Sequence, residues 1–164
     1  MWKARGADPE QCIGRLADIR AIRELKARYF RCMDLRDWAA MYDVFTADAV
    51  MDMREDIRNL VRSGIPVDPA GGLIVGRDTI VSTMRGPLEG TVTVHHGHMP
   101  EISFAGNNVA HGIWAMEDRV QLAEGAPFRR LHGYGHYHET YVRGIGSRWR
   151  IAHLRLSRLL VDFD

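Results

Sequence analysis

TVTVHHGHMPEISF (residues 91–104), AHGIWAMEDRVQL (110–122), LHGYGHYHETYVR (131–143) and WRIAHLRLSRLLVDF (149–163) are the stretches whose reading decides the fold. Each is rich in β-branched and aromatic residues and tends to alternate apolar with polar positions, the period of a strand with one face buried. Turn-forming pieces lie between them: Ala105-Gly-Asn-Asn108, Glu124-Gly-Ala-Pro127 and Gly144-Ile-Gly146. Four long strands joined in sequence by short turns predict an antiparallel meander.

The chain ahead of residue 91 reads differently. Ile13, Leu16, Ile19, Ile22, Leu25, Tyr29 and Met33 recur every three or four positions, one apolar stripe along a helix of about six turns. Arg15, Arg20, Arg23, Glu24 and Arg28 fall mostly on its wet side. The stripe halts at Asp34, and Asp37 is read as the N-cap of a second short helix, Trp38–Phe45. A short strand is expected over Val50–Met53. The Gly- and Pro-containing segment Arg54–Gly76 reads as a mobile loop able to cover a pocket. Asp78 is read as the cap of a third helix, Thr79–Met84, ended by Gly86-Pro87. Helices first and strands later predict one α+β domain over residues 1–164, with helices on one face of a curved sheet and residues 1–10 as a flexible lead-in.

Composition narrows the classes of function. The net charge of the 164 residues is +1, so no overall field recruits nucleic acid or an anionic membrane. No apolar run approaches the ~18 residues of a membrane span, and the N-terminal residues lack the apolar core of a signal peptide. A cytoplasmic protein is expected. Cys12 and Cys32 lie twenty positions apart on one helix, about 30 Å at helical rise, and are read as free thiols.

Strand alternation then shows which polar side chains face the core. In the last strand Ala152, Leu154, Leu156, Arg158 and Leu160 share a face; in the second, Trp114, Met116, Asp118 and Val120 do. An arginine and an aspartate at inward positions need partners or a polar cavity, so Asp118 and Arg158 are either a structural pair or pocket residues. In the first strand His95 shares its face with Thr93 and Gly97, and Gly97 marks a bulge or a close approach. Asp34, where the helical stripe ends, is its candidate partner. His96/His98 and His136/His138 form two His-x-His pairs of a kind that suits zinc or iron, but Glu101 and Pro100 break the pattern such a site requires, and no metal is expected.

The residues from Ile22 to Asp34 followed by Trp38, together with Val94–Ile102, Gly112–Asp118 and Gly146–Ile151, resemble in order the SnoaL-like family of the nuclear-transport-factor-2-like superfamily. Within it they are most similar to bacterial bile-acid 7α-dehydratases, and more distantly to scytalone dehydratases and hexachlorocyclohexane dehydrochlorinases. The resemblance implies a cone-shaped, curved, mixed or antiparallel sheet wrapped around the N-terminal helices as an open-mouthed α+β barrel with a pocket. It implies site residues at Tyr29, Asp34, His95, Asp118 and Arg158, two of which are the inward polar residues found from alternation alone. A bile acid is not carried over as substrate, because the strand Leu131–His138 differs.

The resemblance further implies a cofactor-independent lyase acting on a hydrophobic polycyclic or aromatic small molecule, by dehydratase-type elimination or by retro-aldol loss of a group such as formaldehyde. An imidazole, with an ordinary pKa of about 6.5, serves as base without extreme tuning. Asp34 would fix the His95 tautomer, Tyr29 would hydrogen-bond the substrate, and Arg158 would stabilise negative charge or hold Asp118. An isomerase or cyclase would use the same pair. A ligand-binding protein or the small subunit of a ring-hydroxylating dioxygenase would use the fold without the chemistry. A homo-oligomer, trimer or dimer, is expected through the outward faces of Leu131–Arg143 and Trp149–Val161.

Overall fold

The structure is a computed structural model that describes residues 9–126, 128–144, 146 and 148–164. The expected lead-in therefore lies outside the described residues except for Pro9 and Glu10, as do Pro127 and Ile145 of two expected turns. In chain order the elements are α1 (Pro9–Leu35), α2 (Trp38–Met41), β1 (Phe45–Asp52), α3 (Arg54–Arg62), β2 (Leu73–Val75), α4 (Arg77–Leu88), β3 (Val92–Phe104), β4 (Val109–Gln121), β5 (Arg130–Arg143) and β6 (Trp149–Phe163).

The four expected strands form the meander β3–β4–β5–β6, and β1 joins its far side in parallel with β6. With β2 outermost, the order is β2-β1-β6-β5-β4-β3, a mixed six-stranded sheet that is curved and unclosed. The helical stripe packs over only its second half. Ile22, Leu25, Tyr29, Phe30 and Met33 are buried, whereas Ile13 and Leu16 stand clear at 67% and 66% exposure. Among the described residues nothing covers Ile13 and Leu16, although Arg15 and Asp18 on the same turns reach Gly106, Arg143 and Trp149.

Three expectations between α1 and β3 need correction. The second helix stops at Met41, and Phe45 instead opens β1, where it pairs with Ile151 and is fully buried; tertiary pairing overrides local helical spacing. Asp37 does cap α2, accepting the Ala40 N–H at 3.0 Å. The segment read as a loop holds α3 and β2, and β2 ladders onto β1 at Val50–Asp52. The helix α4 begins at Arg77 after Gly76 (φ 89°), so Asp78 lies inside its first turn, and it runs through Gly86 and Pro87 to Leu88.

Parity in β6 is also interrupted. Leu154, Leu156 and Arg158 face inward as read, but bulges at Ala152 and Leu159 shift the ladder with β5. Below the first bulge Trp149 and Ile151 take the inward positions, and beyond the second Leu160 turns out to 51% exposure. Cys12 is exposed and Cys32 buried, both free. Among the described residues no helix is long and apolar enough to cross a membrane.

The core, between α1, α4 and the inner face of the sheet, holds a fully buried ion pair. Lys26 Nζ sits 2.5 Å from Glu139, with both side chains fully buried. The ammonium lies 3.5 Å from the centroid of the Tyr137 ring, 4.2 Å from that of Tyr29 and 4.6 Å from that of Phe30. The other Glu139 oxygen accepts from the Tyr141 hydroxyl, which accepts from the Trp114 indole N–H at 2.7 Å. Burial pulls the Lys26 pKa down to about 8 against the attraction of Glu139.

Candidate active site

The end of α1 is set by backbone geometry. Arg36 takes φ 57°, its N–H bonds to the Met33 carbonyl at 3.2 Å, and the Asp37 N–H reaches the Cys32 carbonyl at 2.8 Å. This double closure satisfies the last carbonyls and stops the helix just past Asp34. Phe30 and Met33 anchor that last turn in the core, and Asp34 is left facing the edge strand β3.

There its carboxylate collects three donors. Oδ1 accepts from the Thr93 hydroxyl at 2.9 Å and lies 2.6 Å from His95 Nδ1, and Oδ2 accepts the His95 backbone N–H at 3.0 Å. Burial alone would raise the Asp34 pKa, but the hydrogen bonds from the His95 ring and backbone and from Thr93 outweigh it, holding the carboxyl below its usual range. An ionised carboxylate only accepts, so Nδ1 carries a hydrogen, and in the neutral tautomer this selects, Nε2 is the nitrogen with the lone pair. The Phe30 ring lies 11° from parallel to the imidazole at 6.1 Å between centroids. Gly97, two residues on, makes this possible: a Cβ there would fall 2.5 Å from Phe30 Cε2, and the strand bulges just beyond it. The close approach expected at this glycine is that of Phe30.

Across the sheet at the same level, Asp118 on β4 is the register partner of His95, and Gly133 on β5 is the partner of Asp118. Arg158 reaches over from β6 and clasps both Asp118 oxygens, each N···O distance being 2.8 Å. Its Nε donates to Asp56 of α3 at 2.7 Å, and its backbone N–H donates to Glu55 at 3.0 Å. Burial would lower the Arg158 pKa, but the carboxylates of Asp56 and Asp118 raise it above its ordinary value. The ion pair lies directly over Gly133, where a Cβ would come within 2.3 Å of Arg158 Nη1 and 2.4 Å of Asp118 Oδ1.

Four of the five expected residues thus form a row across the sheet, Asp34–His95 beside Asp118–Arg158. Tyr29 belongs to a neighbouring group, its ring against Phe30, Phe45 and Tyr137 and beneath Lys26. Burial, with the charge of Glu139, raises its pKa and keeps the hydroxyl protonated. Most of the row is withdrawn from solvent, Asp34 keeping 23% of its side chain exposed. The side chains of His95, Asp118 and Arg158 are 6%, 5% and 4% exposed. Surface grooves of 480–590 Å³ indent the described residues, and of the five expected residues only Arg158 borders one of these. None of these grooves is the open pocket expected at His95.

His136 and His138 point away from the row on the far face of β5, where His138 Nε2 lies 3.0 Å from Ser157 Oγ. Among the described residues no group of three or more His, Cys, Asp or Glu side chains is placed to hold a metal ion. Sequence reasoning missed Gly133, Glu55, Asp56 and the Lys26–Glu139 pair. Gly133 and Glu139 had a signal, since both occupy inward positions of β5; Glu55 and Asp56 had none, lying in a segment read as loop.

A family model of the SnoaL-like domain matches residues 14–155. Solved structures with the same architecture include a type 3 hexachlorocyclohexane dehydrochlorinase from Novosphingobium barchaimii, 16% identical with a TM-score of 0.72 over 93% of each chain. A protein provisionally named scytalone dehydratase from Novosphingobium aromaticivorans is 19% identical, with a TM-score of 0.74 over 92% of this chain and 90% of that one. Another from the same organism, provisionally named an aromatic ring hydroxylase, is 18% identical, with a TM-score of 0.75 over 91% of this chain and 94% of that one. At such identities the likeness is one of fold.

Proposed function

The chain belongs to the SnoaL-like domain family, and from that premise we propose that it is a single-domain, cofactor-independent lyase whose base is His95. The observation that carries this reading is the buried 2.6 Å contact between His95 Nδ1 and an ionised Asp34, which leaves Nε2 as the proton acceptor. Two structural relatives bear the names of eliminating enzymes, a dehydrochlorinase and a dehydratase, which supports elimination over other uses of the pair.

In the proposed reaction His95 Nε2 takes a proton from a carbon of the substrate. The C–H electrons form the new double bond, and the bond to the neighbouring hydroxyl or halide breaks with its electron pair, releasing halide, or water when the His95 imidazolium returns its proton to the departing hydroxyl. Asp34 stabilises the imidazolium formed. Arg158, oriented by Asp118, faces negative charge that develops on a substrate oxygen, and Tyr29, held protonated, is the candidate donor to that oxygen. Retro-aldol loss of a small carbonyl compound needs the same base and the same oxyanion support. The substrate is a hydrophobic aromatic or polycyclic molecule, and the protein a cytoplasmic homo-oligomer joined through the outward faces of β5 and β6.

The test is a panel of hydroxylated and halogenated ring compounds, followed by mass spectrometry. A product lighter by the leaving group fits a lyase; unchanged mass with altered structure fits an isomerase or cyclase. His95→Ala and Asp34→Asn should keep the circular dichroism of the parent and each lower turnover by about 10²–10⁴-fold. Near-parental turnover in a folded His95→Ala protein would sink the proposal.

A further inference from the structure

A base with 6% of its side chain exposed cannot meet a substrate until something moves. The helix α3 is the element suited to move. None of its residues is buried. It is bounded by Gly64 (φ 75°) and, across the following loop, Gly72 (φ 97°), both in backbone conformations that side chains disfavour. It touches β6 chiefly through charge: Asp56 on Arg158 Nε, Glu55 on the Arg158 backbone N–H at the β6 bulge, and Glu55 with Arg155 at 3.7 Å. Burial of apolar surface, which locks most helices down, is slight here: Ile57 and Leu60 are half-buried and Val61 is exposed.

Beneath α3 runs a groove of about 480 Å³ that reaches Arg158, bordered by Glu55, Arg58, Asn59 and Arg62 on the helix and by Arg158 and Leu160 on β6. Arg158 is already held by Asp56 and Asp118, so the excess positive charge along the groove comes from Arg58 and Arg62 against Glu55, which makes it a path for an anion. Arg158 forms the inner wall of that path and also clasps Asp118, the register neighbour of His95.

We propose that α3 is the door to the His95 site and Asp56 its latch. The Asp56 carboxylate occupies the Nε–H of Arg158 until a carboxylate or enolate oxygen of the incoming ligand takes its place, and α3 then swings off the row. Asp56 is in this sense a stand-in for substrate, and the site selects molecules that bring an anionic oxygen to Arg158. This inference rests on His95 as the reacting group, yet its test needs no turnover.

Hydrogen exchange followed by mass spectrometry on the full chain reads the door, and carbethoxylation of His95 by diethyl pyrocarbonate reads the site, with exposed His96 in the same peptide as internal reference. Asp56→Ala should speed exchange over residues 57–63 about tenfold and raise His95 labelling relative to His96 by a similar factor, with β5 exchange unchanged. The isosteric Asp56→Asn should fall between, and Arg54→Ala, on the same helix but off the latch, should leave His95 labelling as it is. Benzoate added to the parent protein should speed α3 exchange, whereas benzamide at equal ionic strength should not. His95 labelling equally slow in Asp56→Ala and Asp56→Asn would show that α3 is no door. Equal responses to benzoate and benzamide would overturn the exchange of one carboxylate for another. Loss of the lyase reading through an active His95→Ala protein would touch neither result.

Discussion

Adding one methyl group at Gly133 tests whether the Asp118–Arg158 pair is as rigidly seated as its geometry implies. The new Cβ would lie 2.3 Å from Arg158 Nη1 and 2.4 Å from Asp118 Oδ1. Ordinary contact needs roughly 3.5 Å, so the guanidinium and carboxylate must retreat by about 1 Å. Two hydrogen bonds at 2.8 Å would then stretch past bonding range. Overpacking a filled interior costs about 1–3 kcal/mol, and breaking a buried pair by deleting one member costs about 3–5 kcal/mol. Both charges survive in Gly133→Ala and keep part of their attraction, so the expected loss is about 3 kcal/mol. For a chain of this size that is a fall in Tm of roughly 6–12 °C. Urea unfolding measures it, and a cycle isolates its origin. In an Asp118→Leu/Arg158→Met background, where the clash is gone, Gly133→Ala should cost less than about 1 kcal/mol. Gly144→Ala, with no atom within 4 Å of the new methyl, is the neutral control. A loss under 1 kcal/mol in the parent, or an equal loss in both backgrounds, would refute the reasoning.

Three more outcomes are expected. Lys26→Met should destabilise by about 3–5 kcal/mol because it strands Glu139, and adding Glu139→Gln should restore much of the loss in urea melts. Since the Lys26 pKa falls from 10.5 to about 8 on folding, the unfolded chain holds that proton more tightly. Stability should therefore rise with pH from about 8 towards 10, an increase that Lys26→Met abolishes and that the raised pKa values of Tyr29, Tyr137 and Tyr141 reverse at higher pH. The folded-state pKa of Asp34 is lowered, so its contribution is present above about pH 4 and lost as pH falls through the folded value. Asp34→Asn should flatten the acid limb of the urea midpoint plotted against pH, and an unchanged limb would count against the three-donor arrangement.

The parts of this molecule legible in the sequence are those where one period governs a long segment. The strands β3–β6 were readable because alternation runs for a dozen residues, and that alternation exposed Asp118 and Arg158 as inward polar residues. It failed at Ala152 and Leu159, where each bulge shifts parity by one and no side chain announces it. Glu139 sits at an inward position between Tyr137 and Tyr141, and Lys26 lies on the α1 stripe between Ile22 and Tyr29; the same reasoning applied to them would have found the buried pair. The nearness of Asp34 to His95 was not legible from spacing, because it depends on where α1 stops relative to a strand some sixty residues later. The α3 segment was misread because its apolar positions, Ile57, Leu60 and Val61, are few and set among charges, and the helix buries none of its residues. Phe45 shows the converse, a helical spacing overruled by a parallel strand pairing.

The left-handed turn at Arg36 makes the two ends of α1 unequal as sites for modification. Ahead of Arg15, which bonds the Gly106 carbonyl, and of Asp18, which pairs with Arg143 and accepts from the Trp149 indole, tags, fusions or added turns change only how far an appended module stands from the domain. Between Arg15 and Arg36 the count of residues is a rotational setting. One residue inserted turns everything beyond it by about 100°, carrying Asp34 off the edge of β3. Length variation among functional homologues should accordingly collect before Arg15, and a relative with a single-residue gap between Ile22 and Arg36 should have found another partner for its histidine.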